Sequence, residues 1–220
     1  MSAPILKDYE PPNVPLDILY VDDDILVLNK PGGLLSVPGR TPEKQDCLAT
    51  RAEKQFTGAR IVHRLDMETS GVIIMARHLD ALRHLGRQFE DRKTDKIYEA
   101  RVYGHVAREE GEIDLPVLID WPNRPKHRVD FENGRSAFTR YKVLERDEKT
   151  TRVALFPVTG RSHQLRVHML SLGHAILGDN LYAEGEALSM ADRLCLHARQ
   201  LTVAHPESGE SLTFNAPVPF

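Results

Sequence analysis

The sequence predicts an α+β fold built on a mixed sheet, not a helical bundle. Three observations carry this: short apolar runs recur between turn-forming clusters, only three segments read as helices, and 220 residues suffice for a substantial core without covalent staples. Leu16 to Val21 and Ile25 to Asn29 are apolar runs flanking Asp22-Asp23-Asp24, a hairpin signal, and Lys30-Pro31-Gly32-Gly33 then turns the chain sharply. Asp46 to Phe56 has helical composition, and Leu79, Leu82, Leu85 and Phe89 line one face of a second helix. Val72 to Met75 reads as a strand, as do Lys96 to Gly104, Ala137 to Glu145 and Arg152 to Phe156, the last two joined by a polar turn at Asp147 to Thr150. A third helix follows Thr159-Gly160-Arg161, with Ser162 as its expected N-cap and Gly173 as its left-handed terminus. Cys195 to Val203 and Leu212 to Phe214 close the chain as a hairpin. Residues 1–15, rich in proline, read as a flexible arm, and 16–220 as one catalytic domain.

Composition excludes several classes. No apolar run approaches the ~18 residues that span a bilayer, and the N-terminus lacks the basic start and apolar stretch of a secretion signal. Only Cys47 and Cys195 are present, without metal-ligand spacing, which argues for a reducing, cytoplasmic setting and against a zinc framework. The histidines show no His-x-x-x-His pattern with a catalytic glutamate, so no metal site is expected. A formal net charge of -3 speaks against indiscriminate nucleic-acid binding, but the charge is unevenly spread. Acids crowd the start (Asp8, Glu10, Asp17, Asp22 to Asp24), whereas Arg83, Arg87, Arg92, Lys93, Lys96 and Arg101 form one basic stretch and Arg124, Lys126, Arg128, Arg135 and Arg140 another. Of the 29 basic residues 20 are arginine, whose planar guanidinium suits phosphate and stacked bases. These stretches are equally readable as solvated faces.

Chemistry enters at His63-Arg64-Leu65-Asp66-Met67-Glu68-Thr69-Ser70-Gly71, a polar loop placed against an apolar strand. An aspartate there serves either as a turn cap or as a nucleophile or base. A second constellation, Gly160-Arg161-Ser162-His163-Gln164-Leu165-Arg166, puts Arg166 near a helix start, where its guanidinium can hold a buried carboxylate ionised.

These two runs resemble the signature motifs of the RluA-type pseudouridine synthases. The likeness extends to Ile18-Leu19-Tyr20, to Asn29 through Leu34, to Lys96-Ile97-Tyr98, Leu177-Gly178-Asp179 and Leu196-His197-Ala198, and thus to nearly the whole chain after the arm. Long, ordered and mutually spaced motifs are far more specific than a lone tripeptide. The resemblance implies a long, mainly antiparallel mixed sheet with flanking helices and a central catalytic cleft. It also implies isomerisation of uridine in RNA, in which the N1–C1′ bond breaks, a C5–C1′ bond forms and the C5 proton leaves. No cofactor is needed. Asp66 is then the essential carboxylate, Tyr98 the active-site tyrosine that stacks on uracil and helps remove the C5 proton, and Arg166 the cation that pairs with the aspartate. Without the resemblance Tyr98 reads as a core aromatic. Arg64 takes the space left by the flipped nucleotide. His63 supports the loop through hydrogen bonds, Leu196 forms an apolar wall for the base, and Arg161, Arg124 and Lys126 join the RNA-binding set. Arg83, Arg87 and Arg92 are further candidates for phosphate contact.

The implied substrates are stem-loops: uridine 32 of tRNA anticodon loops and uridine 746 of 23S rRNA. No S4 RNA-binding domain is expected, so the catalytic domain must supply all binding, and a monomer off the membrane is expected. Two other classes compete. A non-catalytic RNA-binding or folding factor has no physical need of Asp66, Tyr98 and Arg166 together. A nucleoside or glycoside hydrolase calls for a second carboxylate to activate water, and Glu68 has no such part in the family.

Overall fold

The computed structural model describes residues 9–220. The strands, in chain order, are β1 Ile18–Val21, β2 Ile25–Lys30, β3 Arg60–Ile61, β4 Ser70–Ala76, β5 Asp95–Tyr103, β6 Glu110–Asp114, β7 Val117–Ile119, β8 His127–Val129, β9 Phe138–Arg146, β10 Thr150–Pro157, β11 Leu196–Ala204 and β12 Ser211–Asn215. The α-helices are α1 Leu48–Gln55, α2 Leu79–Glu90, α3 Gln164–Ser171 and α4 Gly185–Ser189. Ten strands make the mixed main sheet, and β7 and β8 pair separately. By contacts the chain divides into an outer unit, Tyr9–Tyr98 with His197–Pro219, and a central unit, Glu99–Leu196.

In the outer unit the expected opening hairpin is present, β1 pairing antiparallel with β2. β2 lies antiparallel to β4, β4 runs parallel to β11, and β11 returns antiparallel along β12. All seven residues of β4 are buried, because a helix covers each face. Val72 and Ile74 join Ile25 and Val27 beneath Ala81 and Leu85 of α2. Ile73 and Met75, one residue out of phase, join Leu26 and Leu28 against Leu48 and Ala52 of α1. α2 starts at His78, whose Nδ1 accepts the Ala81 N–H at 3.3 Å, a cap that no Ser, Thr, Asp or Asn announces. The first eight residues of the expected arm lie outside the described residues. From Tyr9 onward the arm lacks regular structure but is tied down, for the Tyr9 hydroxyl donates to Asp46 C=O at 2.7 Å and Arg51 donates to Pro12 C=O at 2.9 Å. Residue 15 therefore marks where the first strand approaches, not where order begins.

In the central unit β10 and β6 both pair antiparallel with β9. The expected polar turn between β9 and β10 is an Asp147 turn, its carboxylate accepting the Lys149 and Thr150 N–H groups. α3 differs from expectation at its start. The cap position is His163, in the left-handed conformation at φ 55°, not Ser162. The approach to the helix is held instead by Gln164, whose Oε1 reaches back to accept the Arg161 N–H at 3.0 Å and the Thr159 hydroxyl at 2.7 Å. Helix α3 is buried along most of its length and carries three buried polar side chains, Gln164, Arg166 and His168, each with hydrogen-bond partners. Both cysteines are free and buried.

Candidate active site

Asp66 lies on the loop between β3 and β4 of the outer unit, and the backbone on either side of it is clamped. Ser36, distant in sequence, accepts the Leu65 N–H at 3.2 Å and donates its hydroxyl to the Leu65 carbonyl at 2.7 Å. Met67 C=O accepts the Gly33 N–H and the Lys30 ammonium, both at 2.9 Å. Lys30 is fully buried, and Nζ also donates to Pro31 C=O at 2.9 Å and Leu34 C=O at 2.7 Å. Its three donors thus meet three carbonyls, which offsets the cost of taking an ammonium out of water. The Lys30-Pro31-Gly32-Gly33 turn is therefore not a connector alone: it fastens the Asp66 loop to the sheet.

The strand that follows is fixed as tightly. Gly71 adopts φ 115° and pairs with Ala198 of β11, so close that a Cβ there would collide with the Ala198 backbone. Ser70 Oγ lies 2.8 Å from His197 Nδ1, and His197 Nε2 reaches Ala216 C=O at 3.3 Å. This accounts for the Ser-Gly end of the motif.

Tyr98, half-buried on β5, is brought into the field of Asp66. Burial pushes its phenol pKa up and the Asp66 charge adds to the effect, so the ring keeps its proton at neutral pH. A protonated phenol can donate a hydrogen bond but cannot take up a further proton as a base. His63 is placed otherwise. Its ring stacks on Phe89 with centroids 4.4 Å apart, and its Nε2 accepts the Ile74 N–H at 3.2 Å. Burial, with the Lys96 charge, lowers its pKa to about 3, leaving a neutral ring that braces the loop. Arg64 is exposed and makes no side-chain hydrogen bond or ion pair among the described residues.

In the central unit Arg166 is buried and forks onto Asp179, Nε to Oδ2 at 2.8 Å and Nη2 to Oδ1 at 2.6 Å. Asp179 also accepts the Leu181 and Tyr182 N–H groups. The guanidinium lies 5.0 Å from the Tyr182 ring centroid, and the Tyr182 hydroxyl meets His163 Nδ1 and accepts the His127 N–H, each at 2.7 Å. Arg161 donates through Nε to Ser136 C=O at 3.1 Å. Leu196 is buried at the start of β11, whereas Arg124 is exposed and Lys126 half-buried near the tip of the β7–β8 hairpin. Arg83 pairs with Asp80 on the same helix. Residue types alone did not single out Lys30, Ser36, Asp179 or Tyr182. Asp179 and Lys30 stood within family-like segments but without a role, and Ser36 and Tyr182 carry no local signal.

Among the described residues one cluster has ligand atoms close enough for a cation, Asp22, Asp24 and His205, all within 4.8 Å. There, however, His205 Nδ1 accepts the Glu207 and Ser208 N–H groups, which puts the ring proton on Nε2, facing Asp22. Metal-bound imidazoles show the reverse arrangement, donating from the nitrogen that does not bind. The cluster is a hydrogen-bonded clasp between two hairpin turns.

Comparison with known proteins agrees with these motifs. Residues 24–171 match the family model described as RNA pseudouridylate synthase. The dual-specificity RNA pseudouridine synthase RluA of Escherichia coli (strain K12) is 55% identical over 217 residues, covering 98% of this chain and 99% of that protein. The protein of the same name from Yersinia pestis is 56% identical over 204 residues, covering 92% and 99%. Among solved structures, human RNA pseudouridylate synthase domain containing 1 superposes with a TM-score of 0.80 at 30% identity, covering 96% of this chain and 87% of that one. Human RNA pseudouridylate synthase domain containing 4 gives 0.74 at 27% identity, covering 92% and 88%. With motifs, fold and relatives in agreement, this chain belongs to the RNA pseudouridine synthases, the isomerases that convert uridine to pseudouridine in RNA.

Proposed function

We propose that this pseudouridine synthase acts on two kinds of stem-loop, modifying uridine 32 of tRNA anticodon loops and uridine 746 of 23S rRNA, with Asp66 as its essential carboxylate. The observation that carries the assignment of Asp66 is the clamp on Leu65 and Met67, which fixes the backbone of a single acidic residue beside Tyr98. Preorganisation of this kind is what a carboxylate needs to act at one defined atom. The dual-specificity names of the relatives support two substrates.

In this reading the target uridine leaves the stack and Arg64, exposed and uncommitted, occupies its place. Tyr98 stacks on the extruded uracil. The glycosidic N1–C1′ bond breaks, the base turns, C5 bonds to C1′, and the C5 proton is lost as N1 regains one. Since Tyr98 holds its own proton, it assists that last step only by passing its proton on as it takes the one from C5. Arg166, fixed by Asp179, is the third catalytic group, and Leu196, Arg161, Arg124 and Lys126 complete the RNA-binding set with His63 as loop support. Residues 16–220 work as one catalytic domain, as a monomer in the cytoplasm; among the described residues no helix is long and apolar enough to cross a membrane.

The test is to incubate both stem-loops with wild type and Asp66→Ala, and to map pseudouridine in total RNA from cells with and without the protein. Wild type should form pseudouridine at both positions and Asp66→Ala at least ~10⁴-fold more slowly. Release of free uracil, equal product from the two proteins, or maps that do not differ at these positions would defeat the proposal.

A further inference from the structure

The β7–β8 hairpin of the central unit carries groups that the isomerisation does not use. Cross-strand pairs Val117–Val129, Leu118–Arg128 and Ile119–His127 form it, and a closed turn caps it. At this tip Asp120 N–H donates to Lys126 C=O at 2.9 Å, Lys126 N–H to Asn123 C=O at 3.0 Å, and Asn123 Nδ2 to the Asp120 carboxylate at 2.8 Å. Where the tip meets β8 the hairpin is anchored too, His127 N–H donating to the Tyr182 hydroxyl. On this braced tip Trp121 is 62% exposed. The Arg124 guanidinium lies 4.6 Å from its ring centroid, and the indole makes no other ring contact among the described residues.

Charge around the ring is also informative. Arg128 is committed, bridging Asp120 at 3.4 Å and Asp130 at 2.9 Å. Arg124 and Lys126 have no acidic partner within ion-pair distance among the described residues. The tip thus joins an exposed aromatic face, a guanidinium stacked upon it and an uncompensated ammonium. Bases of any kind stack on such a face while cations meet the flanking phosphates, which is the chemistry of a single-stranded nucleic-acid subsite. Because the turn is already closed by its own hydrogen bonds, little ordering remains to oppose binding.

We infer that Trp121 is a stacking platform for an unpaired loop nucleobase of the RNA substrate, distinct from the uridine that is isomerised, with Arg124 and Lys126 on the adjoining phosphates. The inference rests on the stem-loop reading given above.

Trp121 is the chain's only tryptophan, so its emission reports this position alone. The full chain is titrated with the tRNA and 23S stem-loops while the anisotropy of labelled RNA follows binding. Quenching of Trp121 emission with the same midpoint as the anisotropy is expected. Trp121→Ala should raise Kd about 5- to 150-fold, the loss appearing in KM, while Trp121→Phe keeps most of the affinity. Lys126→Ala should instead lower the slope of log K against log salt by about 1. Replacing one loop nucleotide by an abasic residue should abolish both the quenching and the penalty of Trp121→Ala. RNA that binds and is isomerised by wild type without altering the emission, or a Trp121→Ala protein that binds as tightly, overturns the inference alone. Failure of wild type to bind or modify either stem-loop overturns it together with the substrate reading.

Discussion

Asp66 and Arg166 are both held rigid, by opposite means. Around Asp66 the contacts run to the main chain: a serine hydroxyl and a buried ammonium from other segments grip the carbonyls and N–H of its neighbours. Around Arg166 they run between side chains, from Asp179 through the guanidinium to the Tyr182 ring and on to His163. A main-chain clamp is indifferent to the side chains at the gripped positions. A side-chain network instead makes the functional group a structural member. Substituting a side chain at a gripped position therefore leaves the first arrangement standing, whereas in the second each side chain is coupled to the next.

The largest effect should come from breaking the coupled region. Asp179→Ala removes two charge-assisted acceptors from a guanidinium that is 3% exposed, and loss of one partner of a buried ion pair costs about 3–5 kcal/mol. Denaturant unfolding should show that loss, together with a fall in kcat. Unfolding within ~1 kcal/mol of wild type would mean that Arg166 does not depend on this carboxylate.

Lys30→Met tests the other side. Methionine keeps most of the apolar stem but leaves the carbonyls of Pro31, Leu34 and Met67 without the ammonium. Neutral acceptors lose less than a charge does, so roughly 2–4 kcal/mol is expected, with kcat reduced because Met67 is released. A larger loss for Lys30→Met than for Asp179→Ala would invert the comparison.

The same contrast explains what was legible in the sequence. Strand β4 and helix α2 were, because Val72 to Met75 and Leu79 to Phe89 express their burial in apolar pattern. Asp66 and Arg166 were recognisable by motif, since each sits among polar residues of fixed local order. Their supports were not. Lys30 reads as the first residue of a turn, and nothing in Lys-Pro-Gly-Gly announces that its ammonium will be buried and committed to a carbonyl as distant in sequence as Met67. Tyr182 looks like any partly buried aromatic, and its bonds to His163 and His127 depend on a left-handed residue that apolar spacing does not encode. The start of α3 was misplaced for a related reason: its cap position is a left-handed histidine, and a glutamine inside the helix reaches back to hold the residues before it, neither of which local sequence announces.

At neutral pH the smallest effect concerns His63, which belongs to the Asp66 region yet is neutral and half-buried, so that its titration is felt only in acid. Its pKa is about 3 in the folded chain against an ordinary 6.5. Between those values the unfolded chain takes up a proton that the folded one refuses. Stability is therefore full above about pH 6.5 and declines as pH falls toward 3, by at most ~1.4 kcal/mol per pH unit for one proton. His63→Gln can still accept the Ile74 N–H but cannot titrate, so its unfolding free energy should fall less steeply with acid than that of wild type. The acid limb of kcat/KM should stay where it is, because a ring that remains neutral across the working range transfers no proton. A shift of that limb in His63→Gln would make His63 a participant in the reaction and not a brace for the loop alone.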